Sequence, residues 1–188
     1  MRIFGIDPGS ARTGYGCVDT DGLRHRLVTC GVLSQKTGDA LPQKLEAIYD
    51  GLLERISAAR PDCVAVENLF HARNVRSALV LGHARGVAVL AAVRAGVPVV
   101  EYTPAEVKLA VVGYGRAEKP QMQRMVQLLL GLDTAPSPHD AADALAIAIC
   151  HAHARTGLTD GATPAARAPR HLRSWRHARV PAARRPTP

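Results

Sequence analysis

The stretch Arg2-Ile3-Phe4-Gly5-Ile6-Asp7-Pro8-Gly9-Ser10 opens the chain on a short apolar run that stops at a carboxylate and a turn sequence. Asp-Pro-Gly-Ser is strong turn chemistry, so residues 2–7 read as a buried strand. Thr13 to Asp19 and Arg26 to Leu33 read as two more strands, separated by the turn signal Asp21-Gly22. Three strands with links this short predict an antiparallel meander. From about Pro42 to Ala59, Leu45, Ile48, Leu52 and Ile56 form one helical stripe, and Pro61 stops it. Asp62 to Glu67 is a short apolar strand. A helix from about Asn74 to Ala95 follows, and Val97 to Tyr102 is a fifth strand. Thr103-Pro-Ala-Glu106 has the form of a capping box, and Ser137-Pro-His-Asp140 opens the last helix in the same way. Between them lie a short helix, a break at Gly113-Tyr-Gly115 and a helix from Lys119 to Leu130. A meander followed by alternating strands and helices indicates an α/β fold: a mixed five-stranded sheet with helices on both faces.

Charge is unevenly placed. The formal net charge is +8 over 188 residues. Residues 161–188 hold seven arginines and no acid, whereas residues 1–160 hold 17 bases and 16 acids. The expected organisation is a folded domain over 1–155 and a basic Arg/Pro/Ala-rich tail over 156–188. With only Leu172, Trp175 and Val180 as large apolar residues in 161–188, the tail is expected to be disordered and to add a weak grip on nucleic acid. No run of about 18 apolar residues predicts a membrane span. The first residues read as a strand rather than a signal peptide, and the four scattered cysteines suit a reducing cytoplasm. Cys150, His151 and His153 cluster without a matching second half-site, so zinc is not expected there.

Four carboxylates stand where packing alone does not ask for them. Asp7 and Glu67 end apolar strands, where sites form in sheets of this kind. Asp140 and Asp143, spaced i, i+3, share one face of the last helix. Each has a structural reading: Asp7 as a turn residue, Asp140 as the acid of a capping box, Glu67 as a strand end. Asp143, one turn into an apolar helix, has none from capping. Brought together, four acids near a core would repel one another and raise their pKa values. A hard divalent cation, which takes oxygen ligands, removes that cost. Gly9, Gly14 and Gly16 around Asp7 would let a substrate backbone approach, or would serve a tight hairpin.

Together, Ile-Asp7-Pro-Gly-Ser, Val-Glu67-Asn-Leu-Phe70, Ser77-Ala-Leu with Gly82-His-Ala-Arg-Gly86, Val-Val-Gly113 with Ala117-Glu-Lys119, and Asp140-Ala-Ala-Asp143-Ala-Leu-Ala resemble the RuvC family. These are bacterial Holliday-junction resolvases, crossover junction endodeoxyribonucleases of the RNase H-like superfamily. The resemblance runs from residue 1 to about 153. It implies a homodimer that places symmetric nicks in a four-way DNA junction during recombination and repair. It also implies partnership with the RuvA–RuvB branch-migration complex. Some members carry a histidine at the position of Asp140, which this chain keeps as aspartate.

The resemblance further implies two Mg²⁺ ions, with Mn²⁺ able to substitute, held by Asp7, Glu67, Asp140 and Asp143. Such a pair, about 3.5–4 Å apart, clamps the attacking and leaving oxygens of a phosphodiester and yields a 5′-phosphate and a 3′-hydroxyl. Lys119 and Lys108 would approach the scissile phosphate, in a chain with only four lysines against twenty arginines. Phe70 would wedge against an unstacked base, with a core position as the alternative. His71, Arg73, Asn74 and Arg76 are candidate phosphate contacts, or a solvated helix start. The small residues Ala78, Gly82, Ala84, Gly86, Ala88 and Ala91 offer a dimer surface, or packing on the chain's own sheet.

Two other classes compete. The glycine-rich loop after Asp7 resembles the phosphate loop of actin-like kinases and ATPases, which need two domains and a second such loop. A junction-binding protein without cleavage would be weakened by four carboxylates facing phosphates.

Overall fold

The computed structural model describes residues 1–68 and 74–157. Five strands form one sheet in the order β3-β2-β1-β4-β5: β1 Arg2–Asp7, β2 Arg12–Thr20, β3 His25–Ser34, β4 Cys63–Glu67 and β5 Val99–Tyr102. The first three pair antiparallel, as the short links predict. β4 and β5 add in parallel beside β1, which needs the helical crossovers that the sequence supplies. The helices are α1 Leu41–Ala59, α2 Val75–Arg94, α3 Pro104–Val112, α4 Lys119–Leu129 and α5 His139–Thr156. The sheet is RNase H-like in class and mixed, with helices on both faces.

Strand alternation divides the core in two. Phe4, Ile6, Cys17, Val64 and Val66 point to the face covered by α1 and α2. Ile3, Val18 and Ala65 point to the other face, where α5 lies on the sheet and α3 and α4 cover α5. Sandwiched between two layers, α5 is buried almost without interruption from Ala141 to Ala152. That position explains a helix apolar on nearly every side.

Three glycines set the contact between α5 and the sheet. A β-carbon on Gly5 would collide with the Ala144 carbonyl oxygen, and one on Gly14 with that of Asp140. A β-carbon on Gly16 would press into the Leu145 side chain. Gly14 and Gly16 therefore admit the chain's own helix, a use that the sequence reading did not include. Gly9 serves a tight turn, its β-carbon position lying against the Arg12 carbonyl.

Local signals held at one helix start and failed at another. At α3, Glu106 donates its backbone N–H to Thr103 Oγ1 at 3.3 Å and its carboxylate accepts from Thr103 N at 2.7 Å. At α5 the expected capping box does not form. Pro138, after a cis peptide, takes the cap position and has no side chain to cap with. Ser137 sits one residue too early, and the Asp140 carboxylate turns elsewhere. β5 starts at Val99 rather than Val97, because Val97 N–H donates to the Ala92 carbonyl at 3.1 Å and closes the end of α2.

Helix α2 is long and apolar enough, by length and composition alone, to cross a membrane. Its Ala84, Ala88, Ala91 and Ala92 row instead packs against the sheet. Gly82 and Gly86 face outward, with open space at their β-carbon positions. Leu45, Leu79 and Leu90 border a shallow apolar groove there. The alanine row thus follows the reading of packing on the chain's own sheet, and Gly82 and Gly86 lie on the open face. The tail from residue 158 onward lies outside the described residues.

Candidate active site

Parallel neighbours β1 and β4 end side by side, and their last residues carry Asp7 and Glu67. The α5 N-terminus lies over the β1–β2 pair, because Gly14 lets it approach, and so brings Asp140 and Asp143 to the same place. Asp7, Glu67 and Asp143 line one cleft of about 370 Å³, whose far wall is Pro104, Val107, Lys108, Lys119 and Met122. Asp140 stands at its border beside β2.

The acids are close enough to disturb one another. Burial pushes Asp7 well above the usual carboxylate range, and the charges of Glu67, Asp143 and Asp140 push it further. Glu67 is pushed up to about 7, by burial first and then by Asp143, with Lys119 and Lys108 opposing. Asp143 is raised by burial, against the pull of Lys119. Two cations answer part of the charge: Lys119 Nζ lies 3.6 Å from Asp143 Oδ2, and Arg12 Nε lies 2.9 Å from Asp140 Oδ2.

An all-oxygen donor set, buried and mutually repelling, suits a hard divalent cation. Among the described residues no three such side chains are already drawn to a single point. Asp140 and Asp143 are instead turned to Arg12 and Lys119. The donor chemistry therefore fits a hard divalent cation, although these two carboxylates are engaged by Arg12 and Lys119.

The chain belongs to the RuvC family. The family model described as crossover junction endodeoxyribonuclease RuvC matches residues 3–151. A RuvC from Chloroflexus aggregans is 56% identical over 153 residues, which are 81% of this chain and 93% of the relative. The Thermus thermophilus RuvC structure superposes with a TM-score of 0.76 at 39% identity, covering 84% of this chain and 97% of that one. The T. thermophilus RuvC complex with a Holliday junction substrate gives 0.77 at 37% identity, covering 85% and 98%.

Of the residues that sequence reasoning selected in this RuvC-family chain, the fold assembles the four carboxylates, Lys108 and Lys119. Asn74 serves the helix it precedes, its side-chain oxygen capping α2 by accepting Ser77 N–H at 2.9 Å. Arg76 is exposed on the first turn of α2. Phe70, His71 and Arg73 lie outside the described residues. Sequence reasoning missed Arg12. No spacing links it to Asp140, and only the stacking of α5 over the start of β2 brings the two together. The Cys150–His153 segment is occupied otherwise. His151 Nδ1 pairs with the Tyr102 hydroxyl at 2.7 Å, and His153 Nδ1 donates to the Ala110 carbonyl at 2.8 Å.

Proposed function

We propose that this protein is a crossover junction endodeoxyribonuclease that resolves four-way DNA junctions by paired, symmetric nicks. The observation that carries the reading is the meeting of Asp7, Glu67, Asp140 and Asp143, from three separate segments, beside Lys108 and Lys119 in a RuvC-family fold. Two Mg²⁺ ions, for which Mn²⁺ would substitute, would supply Lewis-acid activation of water and charge stabilisation on the leaving 3′ oxygen. Asp7, Glu67, Asp140 and Asp143 would hold them, with Asp7 at the centre of the acidic group.

The chain's own residues do the rest. Lys119 and Lys108 face the acids across the cleft and hold the scissile phosphate over them. As the phosphate takes up its position, Lys119 exchanges Asp143 for a phosphate oxygen. Val107 and Met122 form an apolar wall that limits water around the reacting group. The products are a 5′-phosphate and a 3′-hydroxyl. Phe70 wedges the junction centre open, with Arg73, Asn74 and Arg76 on neighbouring phosphates; the Asn74 amide nitrogen remains for this while its oxygen caps α2.

A homodimer places two such clefts on opposed strands. Its surface is the outward face of α2, where Gly82 and Gly86 leave room and Leu79 and Leu90 are exposed. The protein acts in the cytoplasm in recombination and DNA repair, with a RuvA–RuvB complex as its partner. The test is incubation with a synthetic four-way junction and Mg²⁺. Paired nicks at symmetric positions are expected, and none on linear duplex. Tight junction binding without nicks would make it a junction-binding protein instead.

A further inference from the structure

The acidic floor of the cleft has cations on two sides. Lys108 and Lys119 stand on the α3–α4 wall, and Arg12 stands opposite, at the start of β2. Arg12 Nε lies 2.9 Å from Asp140 Oδ2, with the arginine side chain half exposed and the aspartate less so. The base of Arg12 is fixed. Buried Thr13 donates its hydroxyl to the Gly9 carbonyl at 2.8 Å, and Gln35 N–H donates to the Ala11 carbonyl at 3.0 Å. The loop that leaves Asp7 is thereby closed on itself, and Arg12 projects from its rigid end.

This ion pair conflicts with Asp140 acting as a cation ligand. A guanidinium touching the carboxylate occupies one of its oxygens and repels an incoming cation. When a cation takes Asp140, the guanidinium loses its partner at the rim of a cleft that accepts a DNA backbone. Its planar fork of donors matches a phosphate.

We propose that Arg12 is an exchangeable counter-ion. It neutralises Asp140 until divalent cations arrive, and then turns to a backbone phosphate on the side of the cleft opposite Lys119. It is a positioning residue whose two partners, carboxylate and phosphate, are used in turn. The inference rests on the proposed function, since it needs both a cation and DNA at this cleft.

The test uses the full chain with Arg12→Gln and Arg12→Lys. Mn²⁺ binding to the metal-stripped protein without DNA is followed by the electron paramagnetic resonance signal of the free ion. Loss of a part-exposed ion pair should tighten Mn²⁺ binding by roughly two- to fivefold in Arg12→Gln, with Arg12→Lys near the parent. Junction binding is then measured against salt in EDTA and in Ca²⁺, whose looser oxygen geometry fills the cleft without organising hydrolysis. In Ca²⁺ the salt slope of Arg12→Gln should be shallower by about one. In EDTA it should equal the parent's. Weaker or unchanged Mn²⁺ binding in Arg12→Gln would overturn the exchange, as would equal slopes in both media. A parent that bound neither Mn²⁺ nor the junction would remove the proposed function itself, and this inference with it.

Discussion

Gly14 lies directly beneath Asp140: a β-carbon on the glycine would run into the aspartate's own carbonyl oxygen. Strand β2 thus sets the height at which α5 rests, and with it the distance from Asp140 and Asp143 to Asp7. Gly14→Ala is expected to lift the N-terminus of α5. Overpacking at such a site costs about 1–3 kcal/mol. The variant should melt several degrees lower and cut junctions slowly while still binding them. Differential scanning calorimetry and a cleavage time course check this; parental values in both would show that the contact does not set the site.

The raised carboxyls make stability depend on pH. Glu67 has its folded pKa at about 7 against an ordinary 4.5, so the folded protein keeps a proton that the unfolded chain releases. Its contribution to stability is therefore lost as pH rises between those values. His151, depressed by burial from 6.5 to about 4, acts in the opposite direction and loses stability as pH falls. The informative quantity is the difference between the parent and Glu67→Gln. Without divalent cations, Glu67→Gln should gain melting temperature over the parent as pH rises from 5 to 8, and Mg²⁺ should close that gap. A pH-independent difference would place Glu67 outside the coupled group.

Deleting residues 161–188 removes seven arginines and none of the four carboxylates. The truncated chain is expected to fold and to cut junctions. Its binding to plain duplex should be weaker, with a shallower dependence on salt. An unfolded truncation, seen by circular dichroism, would contradict the division of the chain into nuclease domain and tail.

Phe70→Ala should slow cutting of a fully paired junction by roughly ten- to a hundredfold, the loss of one stacking contact of about 1–3 kcal/mol. A junction with unpaired bases at its centre should recover most of that rate, because its unstacking is already done. Equal slowing on both substrates would assign Phe70 to packing instead of the wedge.

Much of this architecture is legible before any coordinates, for physical reasons that apply unevenly. Apolar runs ending in Asp7 and Glu67 announce strand ends, and the i, i+3 spacing of Asp140 and Asp143 puts both on one helical face. These are local signals. What escapes is what depends on which elements stack. Gly14 and Gly16 read as hairpin or substrate-approach glycines until α5 is seen lying on them. The Arg12–Asp140 pair is invisible for the same reason. The failed cap at α5 is a different kind of miss, a one-residue error in where the helix begins, which moves the capping side chain out of reach.

The most direct measurement compares Asp7→Asn, Glu67→Gln and Asp140→Asn with the parent on one synthetic four-way junction in Mg²⁺, recording binding and cleavage in parallel. Each substitution removes a charged oxygen donor from the cleft and leaves Lys108 and Lys119 in place. All three variants should bind the junction about as well as the parent and leave its strands uncut. Near-normal turnover in any one of them would contradict the assignment of these carboxylates as the cation-binding centre of the enzyme.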